Sequence, residues 1–140
     1  MIEYEGFFLN SEDYNFIKDI KRKKQIKLTP QLKDMNNNQN NSFIVNDGFI
    51  ISLSLDFEID KLPSSIKKLK NLNDLHISSS ILKGFPYEIT HLTSLENLWL
   101  NVPDSFKIPE SIESLKKLKR HPKNNFRDAL LFLKKSVRQP

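Results

Sequence analysis

Apolar residues recur along this chain at two spacings. Leu72-x-x-Leu75-x-Ile77 returns 23 residues later as Leu95-x-x-Leu98-x-Leu100, and Ile50-x-x-Leu53-x-Leu55 is an earlier copy set one residue closer. Each is followed by an apolar-Pro pair and then apolar residues three apart: Leu62-Pro63-x-x-Ile66-x-x-Leu69, Phe85-Pro86-x-x-Ile89-x-x-Leu92 and Ile108-Pro109-x-x-Ile112-x-x-Leu115. Alternation such as Leu75 and Ile77 is the period of a strand with one buried face, so each copy is expected to open with a short strand. Spacing by three suits a helical or 3₁₀ turn. The proline fits the first position of such a turn, where a missing N–H costs nothing.

A strand and a return of this length cannot bury their apolar edges alone, so successive copies are expected to stack with their strands parallel. The pattern resembles the leucine-rich-repeat family, in particular the 23-residue type carrying Leu-Pro-x-x-Ile, across about half of the chain. The expected fold class is α/β: a short leucine-rich-repeat solenoid with a curved parallel sheet, helical returns, an N-terminal helix and hairpin cap, and a C-terminal amphipathic helix cap. About three repeats would fill residues 50–121. Two departures stand out. Where the family usually places an asparagine that ties neighbouring turns, this chain has Glu58, Ser80 and Pro103, which predicts looser turns. The third copy is interrupted by Val102-Pro103-Asp104-Ser105, and a fourth begins at Leu118 but stops at His121-Pro122.

The ends read as caps, 1–49 and 122–140. Tyr14, Ile17, Ile20 and Ile26 lie at helical intervals after Ser11, with Glu12 and Asp13 in the first turn where the helix dipole favours acids, which predicts a helix over about 12–25. Its end, Lys21-Arg22-Lys23-Lys24, reads as a solvated helix terminus rather than a nuclear signal or polyanion contact. The run 36–41 is polar, low-complexity and Asn-rich, the composition of a loop. Asn46-Asp47-Gly48 between apolar stretches predicts a hairpin over 43–53. Near the other end Phe126, Leu130, Leu133 and Val137 would share one face of a helix, with Lys123, Arg127, Lys134, Lys135 and Arg138 on other faces.

Charge sharpens this picture. Of a net +5, residues 115–140 contribute +8, nine Lys or Arg against Asp128, and the rest of the chain is −3. Any polyanion affinity would therefore belong to the C-terminal end. There is no cysteine, which removes disulfides, zinc-thiolate sites and cysteine nucleophiles together. Met1-Ile2-Glu3-Tyr4-Glu5 is acidic where a secretory signal would be basic, and no apolar run approaches a membrane span, so the expected location is cytoplasmic.

The residues alternating with the strand leucines would face outward in columns: Ser52, Asp74 and Asn97; Ser54, His76 and Trp99; Asp56, Ser78 and Asn101; Phe57, Ser79 and Val102. These columns contain no Lys or Arg, which disfavours nucleic acid on that face because phosphate contacts depend on cations. The expected function is a non-catalytic, monomeric scaffold or adaptor that binds another protein on the concave strand face through Ser54, Asp56, Phe57, Asp74, His76, Ser78, Asn97, Trp99 and Asn101. Trp99, the only tryptophan, would anchor it, since exposed large aromatics are frequent interface hot spots. The alternative is an anchoring protein that contacts an anionic membrane or RNA through the basic C-terminal helix. No catalytic residue, cofactor or metal is expected. His76, His91 and His121 lack metal-ligand spacing, and three glycines are too few for a phosphate loop.

Overall fold

The computed structural model describes residues 1–24, 26–31, 41–101 and 110–118. The chain opens with a hairpin of β1 (Ile2–Tyr4) and β2 (Phe7–Leu9). Its two turn residues, Glu5 and Gly6, have φ of 47° and 88°, the type I′ geometry that matches strand twist. Helix α1 (Ser11–Lys24) follows. Asn10 caps it, with Oδ1 accepting the Asp13 N–H at 3.1 Å and so satisfying a donor that the first helical turn leaves unpaired. Asn10 also donates from its backbone and side chain to Gly48 O, at 2.9 and 2.8 Å.

Those bonds pin the helix start to a second hairpin, β4 (Ser42–Asn46) and β5 (Phe49–Asp56), turned at Asp47 and Gly48 with φ of 51° and 83°. Asp13 completes the clamp: its Oδ2 accepts the Ile50 N–H at 2.8 Å, and the residue is 1% exposed. Burial pushes the Asp13 carboxyl above its ordinary 3.8, against the hydrogen bonds from Ile50 and Asn10 that favour the charged form. A carboxyl whose folded pKa is raised binds its proton more tightly in the native state, so its contribution to stability falls as pH rises from about 3.8 through the folded value. Asp13→Asn keeps an acceptor for Ile50 and removes that titration. Its stability relative to the wild type is therefore expected to be higher at neutral pH than at pH near 3.8, read by urea unfolding at both; a gap that widens on acidification would contradict the assignment.

The main sheet has five strands in the order β3 (Thr29–Gln31), β4, β5, β6 (Asp74–Ser78) and β7 (Asn97–Asn101). The β4–β5 pair is antiparallel with an irregularity between Ile44 and Val45, and the other three pairs are parallel. Leu53, Leu75 and Leu98 stand in register, as do Leu55, Ile77 and Leu100, and all six are at most 2% exposed. The facing wall of the core is built by 3₁₀ segments at Ser64–Lys68, Tyr87–His91 and Glu110–Ser114.

Spacing by three is here the 3₁₀ hydrogen-bond step itself. The Ile66, Leu69 and Leu72 N–H groups donate to Pro63, Ile66 and Leu69 O at 3.1, 3.1 and 3.2 Å; the Ile89, Leu92 and Leu95 N–H groups do the same to Pro86, Ile89 and Leu92 O at 2.9, 3.0 and 3.0 Å. Each donor residue is also a buried apolar one. Both prolines precede their segments in extended conformation, Pro63 at ψ 140° and Pro86 at ψ 108°, so each supplies the first acceptor rather than occupying the first helical position.

The expected architecture is thus corrected. The sheet is mixed, not parallel; α1 is the one α-helix among the described residues; the returns are single 3₁₀ segments rather than helices; and a separate two-stranded antiparallel sheet stands at the start of the chain. This is not a curved leucine-rich-repeat solenoid with helical returns. The expected C-terminal helix at 122–140 and the loop at 36–41 fall outside the described residues, apart from Asn41. The helix stripe also shifts. The buried positions of α1 are Asp13, Phe16, Ile17 and Ile20, while Tyr14 is half-buried and Ile26 lies beyond the helix. α1 packs on the 64–68 segment.

The turns that follow β5 and β6 are tied, not loose, while Pro103 lies outside the described residues. Glu58 accepts the Ser80 N–H at 3.0 Å through Oε1 and the Ser80 hydroxyl through Oε2. Ser79, 2% exposed, donates its hydroxyl to Ile59 O at 2.8 Å and accepts the Ile59 N–H at 3.1 Å. Glu58, at the position where the family usually has asparagine, and Ser79 thus bridge successive turns by different chemistry. Ser79→Ala leaves both Ile59 groups without this partner in a buried place, an expected loss of about 1–3 kcal/mol. Urea unfolding checks it, and a loss near zero would mean that other groups take over the bridge.

Candidate functional site

β5, β6 and β7 alternate: Leu53 and Leu55, Leu75 and Ile77, and Leu98 and Leu100 face the core, and the residues between and beside them face away from it. Parallel register lines up the outward residues in rows. Ser52, Asp74 and Asn97 form one row, Ser54, His76 and Trp99 the next, and Asp56, Ser78 and Asn101 the third. Eight of the nine are half-buried, and Asn101 is exposed. Towards β4 and β3 the same face closes, with Ser42 opposite Ser54 and Gln31 opposite Ile44 both buried.

Within each row, contacts join neighbouring strands. The Asn97 amide donates to Asp74 Oδ1, and the Asn101 amide to Ser78 Oγ at 3.3 Å. His76 stands between Ser54, whose Oγ lies 3.4 Å from its Nδ1, and Trp99, which it meets edge-on at 6.1 Å between ring centroids and 72° between planes. That offset suits the quadrupoles of two aromatic rings and fixes the orientation of both. Asp56 is positioned through its backbone: Asn41 Oδ1 accepts its N–H at 2.9 Å and Asn41 Nδ2 donates to its carbonyl at 3.4 Å, so a side chain extends the β4–β5 ladder by one step.

Of the residues expected on this face, the structure brings together Ser54, Asp56, Asp74, His76, Ser78, Asn97, Trp99 and Asn101. Phe57 is not with them. It lies one residue past β5, where alternation turns the side chain back, and it packs against the core cluster. Ser79 is likewise buried, and Val102 falls outside the described residues. Ser52, Ser42 and Asn41 complete the surface, and of these Asn41 had no sequence signal beyond its place at the end of an Asn-rich run.

The electrostatics are one-sided. Strands β3 to β7 contain Asp56 and Asp74 and no Lys or Arg, in a chain of net charge +5. Ser54, His76 and Asp74 are neighbours, but Asp74 is bonded across to Asn97 rather than standing on the far side of the imidazole as a triad carboxylate would. The arrangement suits recognition by hydrogen bonds, an aromatic edge and negative charge. Among the described residues no cluster of His, Asp and Glu is suited to holding a metal ion, and no helix is long and apolar enough to cross a membrane.

Elsewhere a concavity of about 470 Å³ opens between successive turns, lined among others by Asp60, Lys61, Leu82, Gly84, Phe85 and Tyr87. Its rim carries charges of both signs and therefore selects for neither. Comparison with known proteins returned no matching family model and no matching curated protein.

Proposed function

We propose that this chain is a non-catalytic protein-interaction module, acting in the cytoplasm, that binds another protein through the outward face of β5–β7 around Trp99 and His76. The observation that supports the reading is the row Ser54, His76, Trp99, an aromatic pair set in a polar frame and flanked by Asp74 and Asn101. Half-buried tryptophan with a ring of hydrogen-bonding neighbours is the composition that concentrates binding energy at protein interfaces. The absence of cysteine from the chain agrees with a reducing compartment. Kinship to leucine-rich-repeat sequences remains a proposal that rests on the recurring apolar and Leu-Pro-x-x-Ile residues alone.

The test is affinity capture from source-cell lysate with three full-length baits: the wild type, Trp99→Ala, and Ser78→Arg. The last adds bulk to the face and removes nothing from the core. A polypeptide retained by the wild type and lost by both variants, with thermal melts unchanged, is the expected result. Retention by both variants, or capture that instead disappears when Lys134, Lys135 and Arg138 are changed to Gln, would overturn this reading in favour of contacts made by the basic end of the chain.

A further inference from the structure

The strand face is negatively charged on a positively charged protein, and this contrast indicates what kind of partner it fits. Asp56 and Asp74 are the only Asp, Glu, Lys or Arg residues on the five strands of the main sheet, while the chain as a whole carries 22 Lys or Arg. The Asp74 carboxylate is held by the Asn97 amide, and the backbone that carries Asp56 is held by its two bonds to Asn41. A carboxylate has about four lone-pair positions, so the Asn97 bond leaves Asp74 able to accept further donors. Trp99 lies on the strand next to Asp74 and two positions along from its direct neighbour Asn97, a diagonal of about 7–8 Å that a long side chain spans.

We propose that this face recognises a cationic, arginine-bearing segment of a partner protein, with a guanidinium stacked on Trp99 and paired to Asp74, and a second cation reaching Asp56. The proposal rests on the face being the binding surface and adds the chemistry of what binds there. Arginine fits better than lysine because its planar group both stacks on an indole and forks onto a carboxylate, whereas an ammonium acts as a point charge. Nucleic acids and anionic lipid surfaces are disfavoured at the same place, because the face offers them two negative charges and no Lys or Arg from its strands.

Trp99 is the single tryptophan, so its fluorescence reports this site and no other. The experiment titrates the full-length protein with acetylated hexa-arginine amide, hexa-lysine amide and hexa-glutamate amide, at low and at physiological salt. Hexa-arginine is expected to change the Trp99 emission saturably, to bind more tightly than hexa-lysine, and to weaken with salt, while hexa-glutamate gives no change. In the double variant Asp56→Asn and Asp74→Asn, hexa-arginine binding is expected to weaken by about tenfold or more. If that variant melts early, the contrast between the arginine and glutamate probes on the wild type decides alone. Equal responses to arginine and glutamate probes, or hexa-arginine binding unchanged in a folded double variant, would overturn the proposal. So would engagement of Trp99 by hexa-arginine only after Lys134, Lys135 and Arg138 are replaced by Gln, which would make the chain's own basic end the occupant. Failure here with capture that still depends on Trp99 and Ser78 rejects the cationic partner and leaves the binding face standing; failure of both rejects the face.

Discussion

Phe16→Ala is expected to destabilise the protein by about 3–5 kcal/mol. The ring is fully buried, on the side of α1 that faces the first 3₁₀ segment, and belongs to the same continuous core as Leu53, Ile66 and Leu75. Removing it leaves a cavity whose walls are held from two directions. The helix start is clamped to the Asp47–Gly48 turn by Asn10 and Asp13, and the 64–68 segment is held by its own chain of 3₁₀ bonds, so neither wall can collapse inward cheaply. If residues 1–24 were an appendage, the loss would fall well below this range and the helix signal would melt separately. Chemical denaturation followed by far-ultraviolet circular dichroism and by Trp99 fluorescence distinguishes the two, since the probes report opposite ends of the molecule. The expected transitions coincide.

Ile89→Ala is expected to lose about 2–5 kcal/mol. Ile89 is fully buried at the centre of the second 3₁₀ segment, and its carbonyl accepts the Leu92 N–H at 3.0 Å. The neighbouring walls, Ile66 on one side and Ile112 on the other, are themselves fully buried. The contrast with Thr90→Ala is informative. The Thr90 hydroxyl donates to Tyr87 O at 2.6 Å in an exposed position, where a hydrogen bond exchanged for water contributes little. Denaturation midpoints of the two variants should differ accordingly, and similar losses would mean that the segment is held by its local bonds and not by its buried face.

What the sequence made legible was local. Alternation at Leu53 and Leu55, Leu75 and Ile77, and Leu98 and Leu100 marks strands because one face of each is fully buried, and a single shift would expose every leucine. Spacing by three marks the returns because buried position and 3₁₀ bond coincide there. The architecture assembled from those parts was wrong where it depended on partners distant in sequence. β3 is three residues long and contains Pro30, and nothing in Thr29-Pro30-Gln31 announces a strand or its parallel pairing with β4; the antiparallel β4–β5 pair among parallel ones is what makes the sheet mixed. The helix stripe was misplaced because Tyr14 and Phe16 are both large and apolar and either fits a 3.6-residue period; burial of Asp13, satisfied by Ile50, decides it. The same holds for the turns. Glu58, Ser79 and Ser80 look unlike an asparagine ladder, yet their oxygens reach the adjacent turn, a relation visible only in three dimensions.

The face itself was largely readable, since register follows from the spacing of the recurring strand leucines, and eight of the nine expected site residues share it. Phe57 was misassigned by extending the outward set past the end of β5, against the alternation that places it with the core. The hold of Asn41 on the Asp56 backbone and of Asn97 on the Asp74 carboxylate was not legible, because both depend on side-chain placement.

The most direct test of the account places a photoactivatable benzoylphenylalanine at Ser78 or Asn101 on the outward face, and at Lys67 on the opposite wall, and irradiates each full-length protein in source-cell lysate. One shared adduct from Ser78 and Asn101, absent from Lys67, is expected. An adduct formed from Lys67 and from neither face position would contradict it, because the partner would then lie against the 3₁₀ wall and not on the strands.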